Sequence, residues 1–235
     1  MPRKRRVIKK KVKEPDEFIS TSSLIIGYVR NNSQLVIQIA VVVLIISFLT
    51  YGWIYYTREK KKEASLLFYQ SEQFYKSDRY SHTANQPVEE RYSVALRKFE
   101  DIMKKYSGTS SALKALFYIG ECYYHLRDYD KAIDYYTQFI NRSRKGDYLA
   151  CFAFEGLGYC YEEKGVYEQA LEYFKKSMEA SEVDIEELHY LNIARCYEAL
   201  NDKAHALQFY KKVIDDKSNS IFSELAQDKV RALKD

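Results

Sequence analysis

The chain has 235 residues, 46% of them hydrophobic, and a formal net charge of +4. That length holds one membrane segment and one helical domain, and only three prolines and eight glycines suit long helices. The basic residues are concentrated at the N-terminus, so a nucleic-acid surface is not the first inference.

Residues 1–15 form a basic tail, in which positions 2–13 carry eight lysines and arginines and no acid. The tail reads as a cytoplasmic topology signal that also touches anionic lipid. A nucleic-acid tail is the competing reading, opposed by the hydrophobic run that follows so soon. Residues 16–33 are juxtamembrane. Phe18, Ile19, Leu24, Ile25, Ile26, Tyr28 and Val29 would give a helix an apolar surface for the membrane interface. A plain linker is the alternative.

Residues 34–57 read as a transmembrane helix through the lipid bilayer. Positions 35–56 carry no charge. At about 1.5 Å per residue this run reaches roughly 33 Å, enough for a hydrocarbon core of about 30 Å. Tyr51, Trp53, Tyr55 and Tyr56 gather at its C-terminal end, as interfacial aromatics do. A cleaved signal peptide is disfavoured, because the run is too long and no A-x-A-like site follows. No cysteine lies here for a lipoprotein anchor. Nine lysines and arginines precede the run, counting Arg30, and four follow closely: Arg58, Lys60, Lys61 and Lys62. The larger cluster should stay cytoplasmic, which places the remainder outside, in the periplasm of a Gram-negative bacterium.

Residues 58–235 form one helical domain. A helix over 59–77 is expected from Ala64, Leu67, Phe68, Phe74 and Tyr75. A polar loop over 78–90 contains Pro87. A second helix runs from Arg91 to Tyr106, with Ala95, Phe99 and Ile102 on one face. Together, residues 62–108 look like a degenerate first copy of a unit that then recurs three times, from about 113, 151 and 187. In each clear copy a small residue stands twelve positions before an alanine: Gly120 and Ala132, Gly158 and Ala170, Ala194 and Ala206. An aromatic follows four further on, at Tyr136, Phe174 and Tyr210. Leu116, Phe154 and Tyr190 align, as do Ile119, Leu157 and Ile193, and then Tyr123, Tyr161 and Tyr197. Asp184 with Glu187 suggests a capping box at the third copy. A helix over 221–233 should close the exposed end of the stack.

These residues resemble the tetratricopeptide repeat, a helical hairpin of about 34 residues. The resemblance implies an all-α fold: a single N-terminal transmembrane helix, then a right-handed α-solenoid of three to four hairpins and a capping helix. Two departures stand out. The proline that usually closes the repeat is replaced by Arg144, Glu182 and Ser218, and the spacings are 38 and 36.

In this family, helix-A positions two, five, nine and twelve line the inner groove. That implies Lys114, Phe117, Glu121 and Tyr124 in the first clear repeat. The second offers Phe152, Glu155, Tyr159 and Glu162, and the third Leu188, Leu191, Arg195 and Glu198. Such a groove suits an extended or helical apolar segment with some basic residues. It does not reproduce the Lys, Asn and Arg clamp that holds acidic chaperone tails.

No pattern of side chains suggests catalysis, a metal, a cofactor or a small-molecule substrate, and an enzyme is not expected. Cys122, Cys160 and Cys196 are equivalent positions in successive repeats. Packed helices lie roughly 8–10 Å apart, beyond the ~7 Å between Cα atoms that a disulfide spans, so these read as small buried apolar residues. His82, His125, His189 and His205 fit no ligand motif and are expected on the surface or in the groove. Gly156-Leu157-Gly158 is a lone GxG inside a helix, not a phosphate loop.

The whole arrangement resembles the YfgM-like family of bacterial inner-membrane proteins, ancillary to the SecYEG translocon. That resemblance implies contact with translocon subunits, emerging envelope proteins or chaperones. A structural scaffold of an envelope assembly is the alternative. A cytosol-facing mitochondrial import receptor is a third reading, opposed by the charge asymmetry.

Overall fold

The computed structural model describes residues 17–80, 88–181, 186–216 and 220–234. Among the described residues there are ten α-helices and no strands. The basic tail, Pro87, His82 and Asp184 of the expected capping box lie outside them.

Contacts divide the chain into two units, residues 1–57 and 58–235. The first holds α1 (Glu17–Asn31) and the opening part of α2 (Ser33–Tyr80). Helix α2 is long and apolar enough to cross a membrane. Leu35, Ile37, Leu44, Phe48 and Trp53 are all exposed on it.

The second unit begins with the remainder of α2 and continues with α3 (Val88–Lys105), α4 (Ser110–His125), α5 (Tyr129–Arg142), α6 (Leu149–Glu163) and α7 (Tyr167–Ala180). It ends with α8 (Glu186–Ala199), α9 (Lys203–Asp216) and α10 (Ile221–Lys234). Three hairpins follow one another, α4 with α5, α6 with α7, and α8 with α9, and each packs on the next. The expected loop over 78–90 is shorter than its sequence suggests. Residues 78–80 extend α2 and α3 already begins at Val88.

One turn recurs in all three hairpins. The backbone N–H groups of Asp128, Val166 and Asp202 donate to the carbonyls of Tyr123, Tyr161 and Tyr197, each at 2.9 Å. The residue before each donor is left-handed: Arg127 at φ 60°, Gly165 at φ 72° and Asn201 at φ 60°. This 6→1 bond with a left-handed residue is a Schellman closure of the first helix. Asp128 and Asp202 then start the second helix, their carboxylates accepting from the N–H groups of Lys131 at 3.3 Å and His205 at 3.1 Å. The turn is the same each time, so the residues beyond 34 lie elsewhere in the repeat.

The twelve-residue spacing has a steric basis. A Cβ on Gly158 would sit 2.6 Å from Cδ1 of Phe174, and one on Gly120 would sit 2.8 Å from Cδ1 of Tyr136. Each glycine admits a fully buried ring against the helix backbone. Gly156 does the same for the far edge of Tyr136, which its Cβ would approach to 2.5 Å. Tyr136 is thus seated between Gly120 of its own hairpin and Gly156 of the next.

An exposed helical glycine replaced by alanine gains roughly 1 kcal/mol. At Gly158 the sign should reverse, because overpacking a filled site costs about 1–3 kcal/mol. Gly158→Ala is therefore expected to lower stability, by up to about 2 kcal/mol on balance. A urea midpoint at or above that of the unaltered chain would refute this steric account.

The core is uneven. One continuous cluster joins Ala64, Phe99, Ile119, Tyr136 and Leu157, so it extends from α2 to α6. Two smaller clusters follow, one around Phe174 and Ile193 and one around Tyr210 and Val213. Helix α10 covers the last hairpin with Ser223, Ala226 and Val230 but leaves Ile221, Phe222 and Leu225 exposed.

Candidate functional site

Aromatic side chains and carboxylates from α2, α4 and α6, with Tyr136 of α5 and Leu188 of α8, border a cavity of about 620 Å³. Seven of the sequence-derived groove residues border it: Phe117, Glu121, Tyr124, Phe152, Glu155, Tyr159 and Leu188. Five do not. Lys114 lies with its ammonium 5.6 Å over the ring of Tyr148, itself a cavity residue. Glu162 is taken by Arg195, whose guanidinium donates to both carboxylate oxygens at 2.9 and 2.6 Å. Glu198 accepts from Tyr210 at 2.6 Å and from Lys229 at 2.9 Å. Leu191 is buried in the last core cluster with Ala226 and Val230 of α10.

The burial of Leu191 is systematic. Phe117, Glu155 and Leu191 occupy groove position five, and all three are buried. That position faces the helices that follow it in the stack. Phe117 packs against Tyr136 and Phe139, with centroids 5.9 and 6.0 Å apart. Glu155 accepts from Asn192 of α8 at 3.2 Å. Position five serves the stack before it serves any ligand.

Sequence reasoning missed Glu72, Tyr75 and Lys76, which border the cavity from α2. The signal was there. Glu72 and Tyr75 follow buried Ser71 by one and four residues, just as Glu121 and Tyr124 follow Gly120. The inserted segment between α2 and α3 hid the register. Tyr118, Tyr136 and Tyr148 were also missed as lining residues.

Each carboxylate accepts from at least one tyrosine, from another helix for Glu72 and Glu121 and from the same helix for Glu155. Glu121 accepts from Tyr75 of α2 at 3.0 Å and from Tyr136 of α5 at 2.6 Å, one on each oxygen. Glu72 accepts from Tyr118 at 2.6 Å and from Lys76 at 2.8 Å, both on Oε1. Glu155 accepts from Tyr159 at 3.1 Å and from Asn192 at 3.2 Å, again both on Oε1. Burial pushes the Glu155 carboxyl above its ordinary range and the nearby Glu121 charge adds to this, against the hydrogen bonds from Tyr159 and Asn192 and the charge of Arg195. Burial likewise pushes the Tyr124 hydroxyl up to about 12.

The four cysteines are free and buried. Burial pushes the thiols of Cys160 and Cys196 up to about 12, which keeps them protonated and unreactive. Among the described residues, no group of three or more His, Cys, Asp or Glu is placed to hold a metal ion. The histidines do not all fit the surface or groove expectation. His125 borders the cavity and stacks on Tyr92 with centroids 4.2 Å apart, and His205 is exposed beside Asp202. His189 departs from it: it is 1% exposed, and neither ring nitrogen has a hydrogen-bond partner among the described residues. It stands five residues before Ala194, as the buried Ala115 and Ala153 stand before Gly120 and Gly158. That column is buried in all three repeats, so an imidazole there is enclosed.

Repeated helical hairpins, a Schellman turn at the same place in each, and a concave cavity between first helices define an α-solenoid of the protein-interaction type. The chain belongs to the tetratricopeptide repeat-like domain family, whose model matches residues 27–235. No curated protein matches it. Among solved structures it is similar to a Podosopora anserina protein assigned as a kinesin light chain, with nearly identical TPR-like repeats. The identity is 12%, the TM-score 0.56, and the match covers 74% of this chain and 85% of that one. A second crystal structure of that protein is similar to the same degree, with 86% of it covered. MamA is similar at 16% identity and a TM-score of 0.49, over 64% of this chain and 90% of that one.

Proposed function

We propose that this chain is a membrane-anchored, non-enzymatic interaction module, an accessory of the Sec translocon whose repeats face the periplasm and meet emerging proteins or chaperones. The observation that carries this reading is the pairing of an exposed, chargeless apolar stretch with a concave cavity in one family domain. The family match starts at residue 27 and so takes in the apolar stretch as well as the repeats. An anchor near an exit site would raise the effective concentration of the cavity for passing segments, so weak binding would suffice.

The test is a photocrosslinking residue at Tyr148, which borders the cavity and is 54% exposed. Crosslinks to translocon subunits and to arrested envelope proteins are expected, together with protease access to the repeats from the periplasmic side. Repeats protected along with a cytosolic control would sink the reading.

A scaffold role in an envelope assembly is the second reading, favoured by the exposure of Ile221, Phe222 and Leu225 on α10. A folded partner there would leave Tyr148 without crosslinks.

A further inference from the structure

We propose that the outer face of α10 pairs antiparallel with α10 of a second copy of this chain. The inference goes beyond the translocon reading and gives the apolar patch of that helix one occupant.

Helix α10 has two faces. It packs on α8 and α9, and Ser223, Ala226 and Val230 are buried on that side. At 3.6 residues per turn, the opposite side carries Ile221, Leu225, Asp228 and Ala232, all exposed. Their spacing is four, three and four, the stepping of a seam between two helices. Ile221 is 83% exposed and Leu225 45%. A lone exposed apolar residue needs no explanation. Two in succession on one seam, with exposed Phe222 beside them, form a patch.

The charges beside the seam select what covers it. The first turn of α10 is acidic, through Glu224, and the last turn basic, through Arg231 and Lys234. Glu224 and Arg231 stand seven residues apart on one flank of the seam. Glu224 has no side-chain partner among the described residues. Arg231 reaches only Asp228, at 3.4 Å, with the two side chains 76% and 75% exposed. Water screens such a pair and leaves the guanidinium free to turn. Setting Ile221 against Ala232 of the second copy, with the helices antiparallel, brings Leu225 to the stem of Asp228 and Glu224 to Arg231. The two-fold axis then repeats every contact. Large meets small on the seam, and acid meets base beside it twice. A parallel pair would instead set Asp228 against Asp228.

One fourteen-residue helix falls short of the roughly 800 Å² per partner of a standard interface. The pairing is therefore weak in dilute solution and forms where copies are crowded, as on a membrane. It rests on the anchored reading for that crowding alone.

The test is disulfide crosslinking of the full chain in vesicles of phosphatidylethanolamine and phosphatidylglycerol. The native cysteines are buried. One preparation mixes an Ile221→Cys chain with an Ala232→Cys chain, and the other holds Ile221→Cys alone. Eleven residues of helix put the two 221 positions of an antiparallel pair about 16 Å apart, beyond the ~7 Å that a disulfide spans. The mixture is expected to crosslink and the single chain is not. Arg231→Glu in both chains sets acid on acid and should lower the yield at least about fivefold, the scale of one exposed ion pair. Adding Glu224→Arg exchanges the two charges and should restore it. All four altered positions are exposed, so the fold is not at stake. Self-crosslinking of Ile221→Cys means a parallel pair and overturns the inference. A mixture that crosslinks no better than the single chain overturns it, as does a loss that the charge exchange leaves in place. Flotation with the vesicles reports on the anchor separately. A chain that fails to float refutes the anchor, and the same crosslinks, read in concentrated solution, still decide the pairing.

Discussion

Tyr136→Ala should cost about 3–5 kcal/mol of stability, the loss seen when a large buried aromatic is truncated. The side chain is fully buried and wedged against the backbone at two glycines, Gly120 and Gly156, on successive first helices. Its removal opens a void between two hairpins at once. It also strips Glu121 of the 2.6 Å hydrogen bond on Oε1. Tyr136→Phe isolates that second contribution and should cost about 1–3 kcal/mol, the penalty for an acceptor left without its donor. Urea unfolding followed by circular dichroism reads both. A loss below about 1 kcal/mol for Tyr136→Ala would mean that neighbouring side chains collapse into the space, and that the two glycines do not define the seat.

The second large effect is with pH. Burial lowers the pKa of His189 below its ordinary value, with Glu186 acting weakly the other way. In the unfolded chain the imidazole titrates near 6.5. Between that value and the depressed folded value, the unfolded chain binds a proton that the folded one does not. Stability contributed by neutral His189 is therefore complete above about pH 6.5 and falls as the pH drops, by up to roughly 1.4 kcal/mol per pH unit. Other groups titrate in acid too, so the informative quantity is a difference of slopes. His189→Ala, which restores the residue found at the equivalent 115 and 153, should flatten the pH dependence of unfolding by up to about one proton. Identical slopes for the two proteins would show that folding does not lower the proton affinity of the ring.

The repeat was legible because its cause is local and steric. Gly158 and Phe174 must face each other, so their spacing cannot drift, and the same holds for Gly120 with Tyr136. The turn between helices was less legible. Only Gly165 and Asn201 advertise a left-handed residue, while Arg127 adopts the same φ with nothing in its side chain to announce it. The groove was half legible. Position numbers brought Glu121, Phe152 and Tyr159 to the cavity, but they could not tell which carboxylates were already taken. Glu162 and Glu198 read as open groove acids, yet their partners, Arg195 and Lys229, come from other helices. His189 was readable in principle, since its column holds alanine in the other two repeats. A polar residue on a helix was instead assigned to water by type, when its column assigned it to the interior.

The uneven core sets an order of events under load. The cluster from α2 to α6 is continuous, whereas the hairpins beyond it rest on two small patches. In a linear stack, local opening starts where the fewest apolar contacts resist it. Amide exchange should thus advance from α10 inward and slow sharply at α6. A protein-unwinding machine engaging the α10 side would peel off α9 and α8 while Tyr75, Tyr118 and Glu121 still held their places around the cavity. The molecule would shorten before it lost its grip.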